Sequence, residues 1–245
     1  MFVRVPTGPL RGMKLQLGTS IRCFKGTFEQ DKALFLQGFV KPGDTVWDIG
    51  AHIGYMTLLL SKSVGSSGQV YALEPNKSNY SIARSHVDYN CKNVVLLNAA
   101  LWKKSGLVAF STQDKSLAGH IVESNGKDIV LALDLEALVE AAPCSPALIK
   151  MDVEGAEDFL IPHLVNVLPS ASLALLCSID SDKALEIAKQ TAETHGMRLY
   201  KCAKFDHPNP YSKFGDAEIL LLGKDRVLSE ASLLQFMKIG STPVK

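Results

Sequence analysis

Residues 46–54 read VWDIGAHIG, a pattern typical of a buried strand that ends near an acid and turns through glycines into a helix. Gly50 allows a tight turn, and Gly54 allows the following helix to pack close to the strand. A ligand can then approach the main-chain N–H groups at the start of that helix. The stretch therefore predicts a nucleotide-type ligand site, with these candidate contacts: Gly50, Ala51, His52, Gly54 and Tyr55.

Two acids accompany this turn. Asp48 precedes the first glycine, where a pyrophosphate-binding loop has no use for negative charge, so it favours a cationic ligand. Glu74 and Pro75 follow a second predicted strand over residues 69–73, and an acid at this place can accept both hydroxyls of a ribose. We expect Asp48 and Glu74 to form a paired nucleoside clamp. The alternative is that both acids only cap helices.

Composition limits the class of protein. A chain of 245 residues with 47% hydrophobic residues can bury one sizeable core. A net charge of +1 without a Lys/Arg-rich stripe gives no reason to expect nucleic acid as a partner. Because no apolar run reaches roughly 18 residues and no signal-peptide core is visible, we expect no membrane span and a cytoplasmic location. Five cysteines without C-x-x-C spacing suggest reduced thiols, and we expect no metal site.

Strand and helix patterns alternate along the chain, which predicts an α/β fold whose mostly parallel sheet of about seven strands has helices on both faces. We expect an N-terminal extension over residues 1–40, a core over 41–225, and a C-terminal amphipathic helix and tail over 226–245. That helix could mediate a homodimer, although packing on its own domain is favoured. Residues 112–127 are predicted to form a loop or flap, and residues 203–215 a second loop. His120 and His207 in these segments could reach a substrate, although loop histidines are exposed by default.

A second acidic turn, DVEGAE at residues 152–157, follows a predicted strand over 147–151. This run completes a resemblance to one family. Residues 26–29, 41–54, 70–75, 98–101, 133–134 and above all 148–157 resemble an FkbM-type S-adenosylmethionine-dependent methyltransferase, over roughly residues 26 to 222. One departure is that this family usually carries Asn where His52 stands.

The resemblance implies a Rossmann-like, seven-stranded class I methyltransferase sheet with an antiparallel last strand, and S-adenosyl-L-methionine as cofactor. Asp48 would lie near the charged portion of the cofactor, Glu74 at its ribose, and the turn of Asn98 and Ala99 at its adenine. Pro75 is a further candidate cofactor contact. The implied reaction is O-methylation of a hydroxyl on a small molecule such as a sugar or natural product.

The candidates for orienting the acceptor and removing its proton are Asp152 and Glu154, with Lys150 a weaker candidate and Asp152 also close to the cofactor. Asp152 could instead only cap the next helix, and Glu154 could only stabilise its first turn. Asp134 is predicted to be a plain helix cap. Two other functions stay open: an NAD-dependent oxidoreductase, which the glycine spacing disfavours, and a catalytically silent S-adenosylmethionine-binding protein, which the His52 departure permits.

Overall fold

The structure, a computed structural model, describes residues 1–112, 119–122, 128–142, 144–179, 181–202, 217–229 and 242–243. In chain order, the strands of these ranges are β1 (Phe2–Arg4), β2 (Lys14–Gln16), β3 (Thr45–Ile49), β4 (Gln69–Leu73), β5 (Val94–Leu97), β6 (Ala100–Leu101), β7 (Gly106–Thr112), β8 (Gly119–Val122), β9 (Asp128–Leu133), β10 (Leu148–Met151), β11 (Ala174–Ile179), β12 (Arg198–Cys202), β13 (Ala217–Leu222) and β14 (Thr242–Pro243). The helices are α1 (Ile21–Lys25), α2 (Gln30–Phe39), α3 (Tyr55–Val64), α4 (Lys77–Asn90), α5 (Leu135–Ala141), α6 (Glu157–Val167) and α7 (Asp182–His195).

The main sheet has the order β14-β12-β13-β11-β10-β3-β4-β5. Strands β11, β10, β3, β4 and β5 are parallel to their neighbours in that run, whereas β13 is antiparallel to both β11 and β12. The predicted α/β class with a mixed, mostly parallel sheet is therefore confirmed. The expected number of seven strands differs from the eight described, because the two-residue β14 adds to the outer edge beside β12.

Helices cover both faces of this sheet, and the two-residue period of the strands assigns each side chain to one face. Val46 and Leu148 belong to a core cluster that contains buried residues of α2, α3 and α4. Trp47 and Ile149, their chain neighbours, belong to a second cluster that contains buried residues of α5, α6 and α7. The sheet is thus buried on both sides, which explains why its central strands are almost continuously apolar.

The first 40 residues pack on the face that carries α3 and α4. Phe35 and Leu36 of α2 are fully buried in the same cluster as Leu58 of α3. Strand β2 is joined to α4 by the main-chain N–H of Gln16, which donates to Nε2 of His86 at 3.0 Å. The other ring nitrogen of His86 lies 2.8 Å from the carbonyl of Ile53, in the glycine turn. Because the main-chain N–H can only donate, Nε2 is the acceptor, and Nδ1 carries the proton that it donates to Ile53.

A smaller sheet with the order β6-β9-β7-β8 lies beside the main one. Strands β9 and β7 form the centre of this sheet. The prediction of a loop over residues 112–127 is wrong in part, because residues 119–122 form β8, which pairs with β7 through Phe110 and Ile121. This strand is short and its neighbours are polar residues and glycine, so the sequence shows no strand periodicity here. The remainder of that segment, residues 113–118 and 123–127, lies outside the described residues.

Two other predicted segments are also outside the described ranges: the loop over 203–215 with His207, and most of the C-terminal amphipathic helix. Helix α6 continues through Pro162 as one helix. Asp134 caps α5, since its side chain accepts from the N–H of Ala137 at 2.9 Å, which confirms the predicted cap. Within the ranges given above, no helix is both long enough and apolar enough to span a membrane.

Candidate active site

A cavity opens where β3, β4 and β10 end at their carboxyl edges, which is where open α/β sheets bind ligands. The turns that follow these strands and the small sheet form its walls. The residues lining it are Ile49, Gly50, His52, Leu73, Glu74, Pro75, Asn79, Ala99, Ala100, Leu101, Phe110, Gly119, His120, Ile121, Asp152, Val153, Glu154 and Ala156.

Glu74 stands directly after β4, and its carboxylate is fixed from both oxygens. Oε2 accepts from the main-chain N–H of His52 at 2.7 Å, and Oε1 accepts from that of Asn76 at 2.9 Å. Burial raises the pKa of this carboxyl, while the two N–H donors partly offset that rise. An acid that is buried, oriented and next to a cavity is a suitable acceptor for ligand hydroxyls.

His52 occupies the left-handed region of the backbone, with φ of 52°. This conformation favours glycine, and Asn, Asp and His adopt it more readily than other side chains do. The backbone of the turn therefore accommodates the His that replaces the family's usual Asn. Burial, and after it the charge of Lys150, lowers the pKa of His52, so the ring is neutral at pH 7.

Asp48 does not line the cavity. It lies inside β3 and is 0% exposed, and its Oδ2 accepts from the hydroxyl of Thr57 at 2.6 Å. Its Oδ1 lies 3.2 Å from Nζ of Lys150. The expected clamp of two acids is thus corrected: Glu74 lines the cavity, whereas Asp48 neutralises a buried lysine behind the turn.

Lys150 is also placed differently from the expectation that it could act on the acceptor. Its side chain is only 5% exposed, and Nζ donates to the carbonyl of Gly50 at 2.8 Å. Asp48 and Asp152 flank it at 3.2 and 3.7 Å. Burial acts to lower the pKa of Lys150, but the two aspartates outweigh it and raise that pKa. Lys150 thereby connects the turn after β3, through Gly50, with the turn after β10, through Asp152.

Asp152 and Glu154 line the cavity from the turn after β10. The side chain of Asp152 is 42% exposed, and Lys150 and Lys32 lie 3.7 and 3.8 Å from its Oδ2. Burial acts to raise the pKa of Asp152, but these two lysines outweigh it and hold that pKa below its ordinary value. The two turns are in direct contact, since a Cβ built on Gly50 would lie 1.8 Å from the carbonyl oxygen of Asp152.

The other predicted contacts fall into two groups. Pro75 and Ala99 line the cavity, and Asn98 supports them, because its amide donates to the carbonyls of Glu74 and Pro75 at 2.8 and 3.0 Å. Three residues of the glycine turn do not line it: Ala51, Gly54 and Tyr55. Gly54 instead permits close packing of α3 on α4, where an added Cβ would lie 3.1 Å from Ala83.

Sequence reasoning missed a group of charged residues behind Asp152. Lys32 of α2 is 5% exposed, and its Nζ lies 2.5 Å from Glu218 and 3.0 Å from Glu29. Ser178 donates to the same Glu218 oxygen at 2.6 Å. A signal existed in the sequence, since Lys32 stands among the apolar residues of α2, but only the fold brings Glu218 to it.

The charges beside the cavity suit a cationic ligand. Asp48, Asp152, Glu29 and Glu218 carry four negative charges when ionised, and Lys32 and Lys150 carry two positive ones, which leaves an excess of two negative charges in this group. A sulfonium next to such a group is stabilised electrostatically. Together with Glu74, which can accept ribose hydroxyls, these residues fit S-adenosylmethionine.

Comparison with known proteins identifies the family. Residues 48–168 match the model of the methyltransferase FkbM domain, and this range includes both acidic turns of the cavity. No curated protein matches the chain.

Several solved structures resemble this chain at low identity. A precorrin-6y C5,15-methyltransferase from Geobacter metallireducens GS-15 has 15% identity and a TM-score of 0.46, over 79% of this chain and 88% of that one. An S-adenosylmethionine-dependent O-methyltransferase from Thermotoga maritima has 14% identity and a TM-score of 0.47, over 82% and 67%. Aeropyrum pernix fibrillarin, in complex with natively bound S-adenosyl-L-methionine, has 14% identity and a TM-score of 0.49, over 78% and 73%. Similarity at this level does not assign an activity.

The family match stands on its own, because it covers the residues that form the cavity. Residues 48–168 of this chain belong to the methyltransferase FkbM domain family, and the protein is an S-adenosylmethionine-dependent methyltransferase.

Proposed function

We propose that the protein methylates a hydroxyl oxygen of a small molecule such as a sugar or another natural product. The observation that carries this proposal is that one cavity has Glu74 on one wall and both Asp152 and Glu154 on another. The first acid suits the ribose of the cofactor, and the other two line the cavity where a hydroxylated acceptor would bind.

The residues that would hold the cofactor follow from the cavity lining. Glu74 would accept the ribose hydroxyls, and Pro75 and Ala99 would contact the adenine. Gly50 and His52 would face the amino-acid portion, where the excess of negative charge behind the turn favours the sulfonium. When bound, S-adenosylmethionine supplies an electrophilic methyl group, whose transfer breaks a carbon–sulfur bond and forms a carbon–oxygen bond.

Asp152 and Glu154 would have different roles toward the acceptor: Asp152 would orient it, and Glu154 would remove its proton. Because the lysines hold the pKa of Asp152 low, this carboxylate is a weak base but stays ionised, so it would orient the acceptor hydroxyl by accepting a hydrogen bond. Glu154 lines the same wall and would take the hydroxyl proton as the carbon–oxygen bond forms. A positioned base of this kind contributes about 10²- to 10⁴-fold in rate.

The lining of the cavity supports a small acceptor. Phe110 and Ile121 of the small sheet add apolar surface to a lining that also contains the three carboxylates. The chain has a net charge of only +1, which offers little attraction for a nucleic acid.

The test is turnover with a ¹³C-methyl-labelled cofactor and a panel of hydroxylated sugars and phenols, alongside matched amines. We expect methyl ethers from the wild type, a loss of at least about 100-fold in kcat for Glu154→Gln, and unchanged binding of S-adenosylhomocysteine to that variant. Methylation of amines alone would contradict the choice of oxygen.

Binding measured by calorimetry separates the remaining possibilities. Glu74→Ala should lose S-adenosylhomocysteine, whereas Asn76→Ala, which keeps the main-chain N–H that Glu74 uses, should retain it. Binding without turnover of any acceptor would favour a catalytically silent binding protein. Stabilisation by NAD in place of S-adenosylhomocysteine would favour an oxidoreductase.

A further inference from the structure

We propose that Lys32 is a positioning residue for methyl transfer, which holds the Asp152 carboxylate at the cavity wall jointly with Lys150. The proposal rests on the proposed function, because it assigns Asp152 to the acceptor side of the cavity. It adds a residue of the N-terminal segment, outside the matched range 48–168, to the site.

The ammonium group of Lys32 lies close to the carboxylate of Asp152. Its Nζ lies 3.8 Å from Oδ2 of Asp152, and Nζ of Lys150 lies 3.7 Å from the same oxygen. These distances exceed those of hydrogen bonds, so the two lysines act on Asp152 by charge. Since both cations are on the Oδ2 side, they draw that oxygen inward from two elements, α2 and β10.

Lys32 is itself held in place by polar residues of three elements of the fold. Glu218 of β13 lies 2.5 Å from its Nζ, Glu29 lies 3.0 Å away, and the hydroxyl of Ser178 lies 3.5 Å away. Glu29 has φ of 41°, an unfavourable conformation for a residue other than glycine. Strain of this kind persists where the surrounding structure imposes it, and it is frequent at functional sites. Here the strained residue places its carboxylate beside Lys32.

A purely stabilising role for Lys32 would not require Asp152. Glu29 and Glu218 already neutralise the charge of this lysine. Glu218 and Glu29 are, however, two acids for one lysine, and Lys150 likewise has Asp48 as its own partner at 3.2 Å. Asp152 is therefore the fourth and most exposed carboxylate of the group, shared by two lysines that already have closer partners. It is the member of the group that lines the cavity.

The groups that face Asp152 define its titration. Lys32 approaches from α2, Lys150 from β10, His52 from the turn after β3 and the hydroxyl of Ser178 from β11. Glu218 and Glu29 stand behind Lys32. Removing the charge of Lys32 takes one of the two lysines from Asp152, so its pKa rises. The carboxylate then protonates at a higher pH and releases its hold on the acceptor.

The experiment compares Lys32→Met with Lys189→Met, which removes a lysine from an exposed ion pair with Glu186 on α7. Carbon-detected NMR follows the carboxyl carbon of Asp152 during a pH titration, with the signal assigned by Asp152→Asn. We expect an apparent pKa about one unit higher in Lys32→Met, a tenfold change in the protonation equilibrium, and no change in Lys189→Met. This readout needs no acceptor, so it remains valid if the proposed reaction is wrong.

Kinetics give the second readout. In Lys32→Met we expect kcat to fall by about tenfold or more, and the acidic limb of the pH profile of kcat to move to higher pH. The affinity for S-adenosylhomocysteine should change by less than about threefold. An unmoved Asp152 titration together with an unmoved pH profile would overturn the proposal.

A third variant covers the case in which Lys32→Met does not fold. Glu218→Gln keeps both lysines and removes the closest partner of Lys32, which frees the ammonium group to approach Asp152. We expect the pKa of Asp152 to fall further in this variant, the reverse of the effect of Lys32→Met. A rise, or no change, would contradict the proposed coupling.

Discussion

Two pairs of charged residues show how a shift of one or two positions along a strand changes whether a side chain is buried or lines the cavity. Asp48 and Lys150 lie inside β3 and β10, and they are buried in contact with each other at 3.2 Å. Glu74 and Asp152 stand one residue past the ends of β4 and β10, and both line the cavity. A side chain inside a strand is directed to a face of the sheet, where helices cover it, whereas a residue beyond the strand can turn toward the open edge.

The strand-interior pair should therefore carry stability. Asp48→Ala leaves Lys150 buried without its closest carboxylate, and removal of one partner of a buried ion pair costs about 3–5 kcal/mol. Urea denaturation measures the free energy of unfolding. The double variant Asp48→Leu with Lys150→Met should lose less than Asp48→Ala alone, because no unpaired charge stays buried. A loss below about 1 kcal/mol in the single variant would show that the pair is not stabilising.

The contact between the two turns is tested by glycine substitutions. Gly50→Ala places a Cβ against the carbonyl of Asp152 in a left-handed conformation, with φ of 83°, so we expect a loss of about 3 kcal/mol or more. Gly155→Ala is the matched control, because Gly155 has φ of 78° and nothing within 4 Å of an added Cβ. It should lose only the conformational cost, about 1–2 kcal/mol. Equal losses would mean that the turns can separate freely.

The two strand-end acids should differ in their response to pH. Burial raises the pKa of Glu74 above its ordinary 4.5, whereas the lysines lower that of Asp152 below 3.8. Binding that needs the Glu74 carboxylate is complete above its raised pKa and is lost as the pH falls through it, by about tenfold per unit. Calorimetry with S-adenosylhomocysteine should show this loss beginning above pH 4.5, while Asp152 is still ionised. Glu74→Gln should bind weakly at every pH and lack this dependence.

The smallest effect concerns a strand-end acid that is not among the residues lining the cavity. Asp134 follows β9 of the small sheet and accepts from the N–H groups of Ala137 and Ser105 at 2.9 and 3.0 Å. Asp134→Ala should lower Tm by about 2–4 °C and leave S-adenosylhomocysteine binding unchanged. Reduced binding would mean that Asp134 affects the cofactor site and is not only a helix cap.

Local patterns predicted much of this fold, because the helices and central strands carry their own periodicity. Strands β3, β4, β10 and β11 are apolar runs, and the glycine turn announced the start of α3. Strand β8 was missed, since four residues flanked by polar segments carry too little periodicity. The eighth strand of the sheet, two residues long, gave no signal for the same reason.

The site was predicted less completely than the fold. Glu74, Pro75, His52, Gly50, Ala99, Asp152 and Glu154 were proposed from the sequence and line the cavity. Their roles toward cofactor and acceptor remain predictions. Asp48 was assigned to the cofactor and Lys150 to the acceptor because both stand near the end of a strand. Both lie inside their strands, however, so their side chains are directed to a face of the sheet.

The sequence by itself determined the alternation of the central strands and helices, the glycine turn and the acids that surround it, because each depends on neighbours within a few residues. Tertiary structure alone decided which of those acids lines the cavity and which is buried against a lysine. It also decided that Lys32 and Glu218, far apart in the chain, meet behind Asp152. The physical reason is that charge acts through space at a few ångströms, and only the packed sheet and helices set those distances.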